Sequence, residues 1–432
     1  MKSQNFLFLN LCLVFITLIN SACVEQKPSL ASSPPNVVAE NLSGVSSGDA
    51  EIDAAQKVIE KTPDAANGYN KLAIVYIRRA RETGDFSLNS KAQTAVSRAL
   101  EIEPDNYNAQ KLQASLLLTF HRFQEALEAG TNLQKTHPQD AFIYGVLTDS
   151  NVELGNYEEA VEAVQKMVDL RPNMESYARV SQVRSLYGDS DGAIEAMRMA
   201  ARIADPRDTE AQAWCLVHLG NEYFKVGSYE QAEKVYDEAL QVFPNYHFAL
   251  TGKGGARAAV GDYENAVKYY RQSQERVPLT QTIIALGDVY QQMGKAEEAQ
   301  REYDLAEFIE QKFGNIDRRT LALLWADHNR KLDEALQIAT AEHEKRKDIY
   351  TADIYAWTLY KKGLLEEAKR AISEAMRLKT KEARIFYHAG MIEKGLGNKR
   401  AAADYLQKAL RISPSFDILQ AEVAKSALQE LK

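Results

Sequence analysis

The sequence predicts an all-α fold, a solenoid of about ten helix-turn-helix repeats. Apolar residues recur with a helical period from about position 50 to the end of the 432-residue chain, without the alternation of a strand. Prolines recur at a spacing of 34 residues, in the series Pro104, Pro138, Pro172 and in the pair Pro244, Pro278. A constant period of this length indicates stacked supersecondary units.

Residues 1–22 have the features of a signal peptide. Phe6 to Ile19 form an apolar run of 14 residues, too short to span a bilayer comfortably. The run ends in INSAC, where two small residues directly before Cys23 resemble the lipobox of bacterial lipoproteins, with Asn20 in place of the usual Leu. That resemblance implies lipid attachment to the Cys23 thiol. Cleavage by an ordinary signal peptidase would instead leave a soluble secreted protein.

Residues 23–49 read as a lipidated cysteine followed by a disordered tether, because Ser, Pro, Asn and Gly dominate without a helical period. The repeat array follows. We divide it into an N-terminal part, residues 50–314, and a C-terminal part, residues 315–432. The C-terminal part carries 22 Lys+Arg against 17 Asp+Glu, whereas the whole chain has a formal net charge of -8.

One segment shows the repeat most clearly. Its landmarks are Leu216, Leu219, Gly220, Tyr223, Gly227, Ala232, Tyr236, Ala239 and Pro244. Their order and spacing resemble the tetratricopeptide repeat (TPR) nearly position for position, with Leu216 at the usual Trp and Tyr236 at the usual Phe. The resemblance implies two antiparallel helices in each repeat and a right-handed superhelical solenoid. Gly220 and Ala232 are small because the two helices cross there.

The same template divides the array into ten units. A landmark from each of nine, in chain order, is Tyr76, Ala114, Tyr144, Ala193, Gly220, Gly254, Gly287, Ala356 and Gly390, with the eighth unit, LLWADHNRKLDEALQIA, before Ala356. Residues 415–432 predict a capping helix, because the last unit of an open solenoid has no neighbour.

No motif predicts catalysis, a metal or a cofactor. The seven histidines form no metal-ligand spacing, and GKGGAR at 252–257 lacks the Gly-x4-Gly-Lys-Ser/Thr of a phosphate loop. Acid pairs such as YEEA at 157–160 open the second helices of repeats, where they complement the helix N-terminus. The acidic net charge disfavours nucleic-acid binding.

The TPR resemblance implies that the first helices line a concave groove that binds partner peptides or helices. At its groove positions, the fifth and sixth units carry Trp214, Asn221, Phe224, Lys225 and Phe248, and the ninth and tenth carry Tyr350, Asp353, Trp357, Tyr360, Lys361 and Tyr387. If the phase is off by one residue, these rings belong to the core. The clamp that binds chaperone tails is not expected, because Val217 holds its lysine position.

Together these features predict a non-catalytic scaffold for protein partners, held in the bacterial cell envelope by a lipid on Cys23. Val24 after the cysteine favours the outer membrane, with the solenoid in the periplasm. Two alternatives remain: an accessory subunit of glycan or peptidoglycan machinery, and a periplasmic or secreted TPR protein without a lipid anchor.

Overall fold

The protein is described by a computed structural model covering residues 45–313 and 318–431. The predicted signal peptide, Cys23 and most of the tether lie outside these residues. Within them the regular elements are helices, and none is long and apolar enough to cross a bilayer.

An initial helix is followed by ten antiparallel pairs and a final helix. The helices are α1 (Val45–Lys61), α2 (Ala66–Thr83), α3 (Ser87–Ile102), α4 (Tyr107–Thr119), α5 (Phe123–Thr136), α6 (Ala141–Leu154), α7 (Tyr157–Leu170), α8 (Met174–Leu186), α9 (Ser190–Ile203), α10 (Thr209–Lys225), α11 (Tyr229–Val242), α12 (His247–Ala259), α13 (Tyr263–Arg276), α14 (Thr280–Gln292), α15 (Ala296–Phe313), α16 (Arg319–Asp327), α17 (Leu332–Lys345), α18 (Ile349–Lys361), α19 (Leu365–Ala375), α20 (Ala383–Gly395), α21 (Lys399–Ile412) and α22 (Gln420–Glu430). The all-α solenoid of ten repeats is confirmed.

Small residues set the crossing of each pair. A Cβ added to Gly220 of α10 would overlap the ring of Tyr236 on α11, and Ala232 is fully buried. The next pair repeats the arrangement, because a Cβ on Gly254 would lie 2.6 Å from ring carbons of Tyr270. The helices therefore approach as closely as the sequence predicts.

The turns also follow the pattern. Gly227, in the turn after α10, has a φ of +75°, a left-handed conformation that glycine adopts without steric cost. Pro244 comes two residues after the end of α11 and cannot continue that helix. The chain therefore reverses at each of these two positions.

The array winds so tightly that helix pairs five units apart are in contact. The turn inside the third pair touches the loop that follows the eighth pair. Gly155, in the turn after α6, packs against the backbone of Lys347, just before α18. Beside it, Arg346 Nη1 donates to Glu153 Oε2 over 2.9 Å, and both side chains are buried.

Equivalent contacts between turns of the superhelix occur one pair and two pairs further along the chain. Thr380 Oγ1, before α20, donates to the Leu186 carbonyl at the end of α8. The Tyr229 hydroxyl at the start of α11 accepts from the Ser415 amide over 2.8 Å and lies 2.9 Å from the Ser413 hydroxyl. Successive turns of the superhelix are thus in direct contact and enclose its interior.

An interior channel as the candidate binding site

The enclosed space is a channel of about 710 Å³, which we call the interior channel. Its wall comes mainly from the first helices of pairs three to ten, which are α6, α8, α10, α12, α14, α16, α18 and α20. The volume lies in the range of about 300–1000 Å³ that is typical of ligand sites.

Five of the predicted groove residues line this channel: Trp214, Asn221, Lys225, Phe248 and Tyr350. Trp214 packs on the ring of His218, with 4.1 Å between the ring centroids. Asn221 is fixed by its Oδ1, which accepts from the Tyr236 hydroxyl over 2.7 Å. The channel therefore combines apolar rings with oriented polar groups.

The Lys and Arg side chains that line the channel are all engaged by carboxylates. Lys225 Nζ lies 2.6 Å from Glu222 Oε1, and the charge of Glu222 contributes to raising the lysine pKa against the opposing effect of burial. Arg319 lies 3.4 Å from Asp348.

Three carboxylates of the channel lining lie close enough to influence one another's charge, and we call them the acidic cluster: Asp288 of α14, Asp327 of α16 and Asp417 before α22. Within the described ranges, none of the three forms an ion pair with a lysine or arginine. Burial, and then the charges of Asp288 and Asp327, raise the pKa of Asp417 to about 7. The protein itself places cationic groups beside the cluster: Asp327 and Asp417 are among the charges that raise the pKa of Arg384 against the effect of burial, and His328 Nε2 lies 3.3 Å from Asp288 Oδ1.

Neutral donors hold the acidic cluster in place. Asp288 accepts from the Tyr303 hydroxyl over 2.8 Å, and Asp327 Oδ1 accepts from the Trp357 indole over 2.7 Å. Asp417 Oδ1 accepts from the backbone amides of Leu419 and Gln420, over 2.9 Å and 2.8 Å, at the start of α22. These contacts orient the carboxylates without neutralising them.

Comparison with known proteins agrees with this architecture. Family models of the tetratricopeptide repeat match residues 213–246, which are α10 and α11, and residues 383–416, which are α20 and α21. The chain therefore carries tetratricopeptide repeats.

The relatives are distant. Protein O-mannosyl-transferase TMTC1 of Homo sapiens is 25% identical over 49% of this TPR chain and 24% of its own length. A TPR repeat-containing protein of Methanocaldococcus jannaschii is 22% identical over 75% of this chain and 61% of its own length. The TPR chain thus spans less than two thirds of either relative.

A solved tetratricopeptide repeat protein from Parabacteroides merdae is 21% identical over 64% of this chain and 99% of its own, with a TM-score of 0.35.

Three predicted groove residues of the TPR array are interior instead. Asp353, Trp357 and Tyr387 expose 0%, 2% and 3% of their surface. The segment that leads into α22 covers this part of the concave face: Phe416 lies on Tyr387 with 5.5 Å between the ring centroids. These residues are corrected from groove to core: Phe416 covers Tyr387, while His388 of α20 stacks on Trp357 and lies 2.8 Å from Asp353.

The remaining three residues lie at the edges of the helix packing and do not line the channel. Phe224 packs on Tyr229, with ring centroids 5.1 Å apart. Tyr360 stacks on Trp357 at 5.0 Å, and Lys361 Nζ lies 4.9 Å above the same indole. Phe224 therefore packs toward α11, whereas Tyr360 and Lys361 lie against Trp357 of their own helix.

Sequence reasoning missed the acidic cluster. Asp288 directly follows Gly287, as Asn221 follows Gly220, so the TPR template contained a signal for Asp288 that was applied only to four repeats. Asp417 follows the last repeat, and nothing in the repeat pattern places it near the other two. In the described part of the chain, no group of three or more His, Cys, Asp or Glu side chains is placed to hold a metal ion.

Proposed function

We propose that this TPR protein is a non-catalytic scaffold that holds an extended segment of a partner protein in the interior channel. The observation that carries the proposal is the channel wall, built from the first helices of consecutive repeats. Trp214, Phe248 and Tyr350 supply the large, partly buried rings that act as anchors in protein interfaces.

The chemistry of the channel supports binding rather than catalysis. Burial, and then the charge of Lys225, lower the pKa of His218 to about 3, so the imidazole is neutral and a weak base at physiological pH. Burial raises the pKa of the Cys215 thiol on the same helix, which keeps the thiol protonated and unreactive. Neither group has the properties of a general base or nucleophile.

Site-specific photo-cross-linking in the source cells tests the scaffold. A photoreactive phenylalanine analogue placed at Phe248 inside the channel is expected to cross-link a protein partner. The matched control is Ile203 at the end of second helix α9, which is 43% exposed. Equal cross-linking from both positions, or glycan-array binding without any cross-linked protein, would contradict the proposal and favour the glycan-machinery alternative.

We also propose that the scaffold is tethered in the bacterial envelope by a lipid on Cys23, with Val24 directing it to the outer membrane. The support is the INSAC junction and the low-complexity tether that follows it. Mass spectrometry of the mature N-terminal peptide is expected to show acyl chains on Cys23 that are lost in Cys23→Ser. An unmodified mature N-terminus would leave the soluble, secreted alternative.

A further inference from the structure

The interior channel is closed along a line where successive turns of the superhelix meet, and we call this line the seam. It joins the turns inside pairs three to five to the loops that follow pairs eight to ten. These are turns 155–156, 187–189 and 226–228 and loops 346–348, 376–382 and 413–419. A Cβ on Gly155 or Gly188 would overlap a backbone oxygen of the facing loop. The two sides of the seam therefore fit closely where they meet.

Hydrogen bonds join the two sides at each of these places. The Ile349 amide donates to the Tyr157 hydroxyl over 2.8 Å at the first place, and the Thr380 and Tyr229 hydroxyls make the corresponding bonds at the other two. When the sides separate, water replaces the lost partner in every one of these bonds. Each bond therefore contributes only modestly to closure.

The ion pair in the seam also permits separation. Arg346 and Glu153 are both buried while the seam is closed, and burial costs both groups their hydration. Separation of the two sides returns water to both charges, which offsets the lost attraction. Removal of the arginine differs, because it takes the cation away from a carboxylate that stays buried. The pair therefore opposes opening less than it opposes the loss of one partner.

A segment bound in the channel is surrounded by its wall. Trp214 of α10 and Tyr350 of α18 both line the channel, and they belong to pairs five and nine. A segment that touches both rings lies inside one turn of the superhelix. It reaches this position either lengthwise, through an end of the channel, or sideways, through the seam. Sideways access needs no free chain terminus and suits an internal segment of a partner.

We propose that the seam is the entrance of the interior channel: its turns and loops part to admit the partner segment and close around it. This inference rests on the proposed function and adds how the partner is loaded and which kind fits, an internal extended segment. The contact between turn 226–228 and loop 413–419 lies nearest the C-terminal end of the array. A lock at that contact holds the free edge of the seam.

A disulfide across this contact tests the proposal. A Cβ on Gly227 would lie 3.4 Å from Ser413 Cα, so the two Cα atoms are close enough for a disulfide, which requires about 4.4–6.8 Å. The full-length protein with Gly227→Cys and Ser413→Cys carries the photoreactive phenylalanine analogue at Phe248. Its oxidised and reduced forms are each mixed with an extract of the source cells and irradiated.

We expect oxidation to lower cross-linking of the partner by about tenfold or more, because the lock removes the state that admits the segment. Reduction is expected to restore the cross-link. Gly227→Cys alone and Ser413→Cys alone are the matched controls, since they carry the same local changes without the lock. Both are expected to cross-link equally under oxidising and reducing conditions.

A second measurement needs no partner. Phe248→Cys places a thiol inside the channel, and a dextran-linked maleimide is far larger than the channel volume of about 710 Å³. The reagent therefore reaches this thiol only while the seam is open, and peptide mapping gives the labelled fraction at position 248. We expect labelling about tenfold slower when the oxidised 227–413 lock is added to Phe248→Cys.

The outcomes separate this inference from the proposed function. Equal cross-linking by the oxidised and reduced forms would overturn the inference, because the segment then reaches a channel whose seam is shut, and the scaffold would stand. Equal maleimide labelling with and without the lock would also overturn it. No cross-link from the unlocked protein would overturn the scaffold, and the labelling rates would then decide by themselves whether the seam opens.

Discussion

At the scale of single residues, the fold depends on which glycines lie where two helices cross. Gly254 and Gly255 are neighbours in α12 with opposite surroundings. A Cβ on Gly254 would lie 2.6 Å from the ring of Tyr270, whereas a Cβ on Gly255 would have its nearest neighbour at 3.5 Å. Only the first is required by the helix crossing.

We predict that Gly254→Ala destabilises the protein by about 1–3 kcal/mol, because the buried Tyr270 ring has to shift. Gly255→Ala serves as the control and is expected to be neutral or stabilising by up to about 1 kcal/mol, because alanine favours a helix interior. Urea unfolding of both variants measures the difference. Equal losses would show that the crossing tolerates a larger residue.

Asp417 gives a second residue-scale prediction. Its folded pKa of about 7 lies above the ordinary value of 3.8, so between these pH values the folded state holds more protons than the unfolded state. Stability contributed by this group is therefore present below pH 4 and lost as pH rises through 7. The charged groups facing it from neighbouring elements are Asp288, Asp327 and Arg384.

Asp417→Asn removes this titration. We expect the variant to gain about 1–2 kcal/mol relative to the parent protein between pH 5 and pH 8, a value reduced from the pKa shift because channel water screens the charge. Chemical denaturation at both pH values tests this. A stability difference that stays constant with pH would contradict the raised pKa.

At the scale of elements, the sequence predicted the helix pairs well and their inward faces only in part. Helix α10 shows why. Trp214, Asn221 and Lys225 share the face that lines the channel, while Phe224, one position before Lys225, is turned toward α11. A repeat template places a residue within about one position, and one position is 100° of helix rotation.

We therefore predict different outcomes for two aromatic residues of α10. Trp214→Ala is expected to weaken binding of a channel ligand at least tenfold with a loss of stability under about 2 kcal/mol, because the ring is only partly buried. Phe224→Ala is expected to cost a similar amount of stability, because its ring is also only partly buried, and to leave affinity within twofold, because the ring does not line the channel. Thermal unfolding together with peptide binding separates the two roles, and the reverse pattern would contradict this assignment.

At the scale of the whole molecule, the decisive feature is contact between turns of the superhelix. The stability of a linear repeat protein is a sum of repeats and nearest-neighbour interfaces. Here Arg346 and Glu153 pair across 193 residues, as do Thr380 and Leu186 across 194. The 34-residue period predicts that the repeats stack. It does not predict the rotation between successive repeats, because that angle depends on the side-chain shapes in every helix pair. The channel and the meeting of Asp288, Asp327 and Asp417 in its lining were therefore not predictable from the repeat period.

Removing one inter-turn ion pair tests this closure. Arg346 is 3% exposed and lies 2.9 Å from Glu153 and 3.7 Å from Glu342, so Arg346→Ala takes the cation away from two buried carboxylates. We expect a loss of about 3–5 kcal/mol. Arg370→Ala, whose side chain is 72% exposed and 3.9 Å from Glu367, is expected to cost at most about 1 kcal/mol.

Hydrogen exchange tests most directly whether Arg346→Ala weakens the contact between turns. If the turns stabilise one another, Arg346→Ala speeds amide exchange both in α6 and α7 and in α18 and α19, although these helices are far apart in sequence. In a solenoid without turn-to-turn coupling, the faster exchange stays in α17, α18 and their immediate neighbours. Exchange confined to that region would show that the inter-turn contacts contribute little. Protection lost in both regions would show that the channel depends on closure of the array.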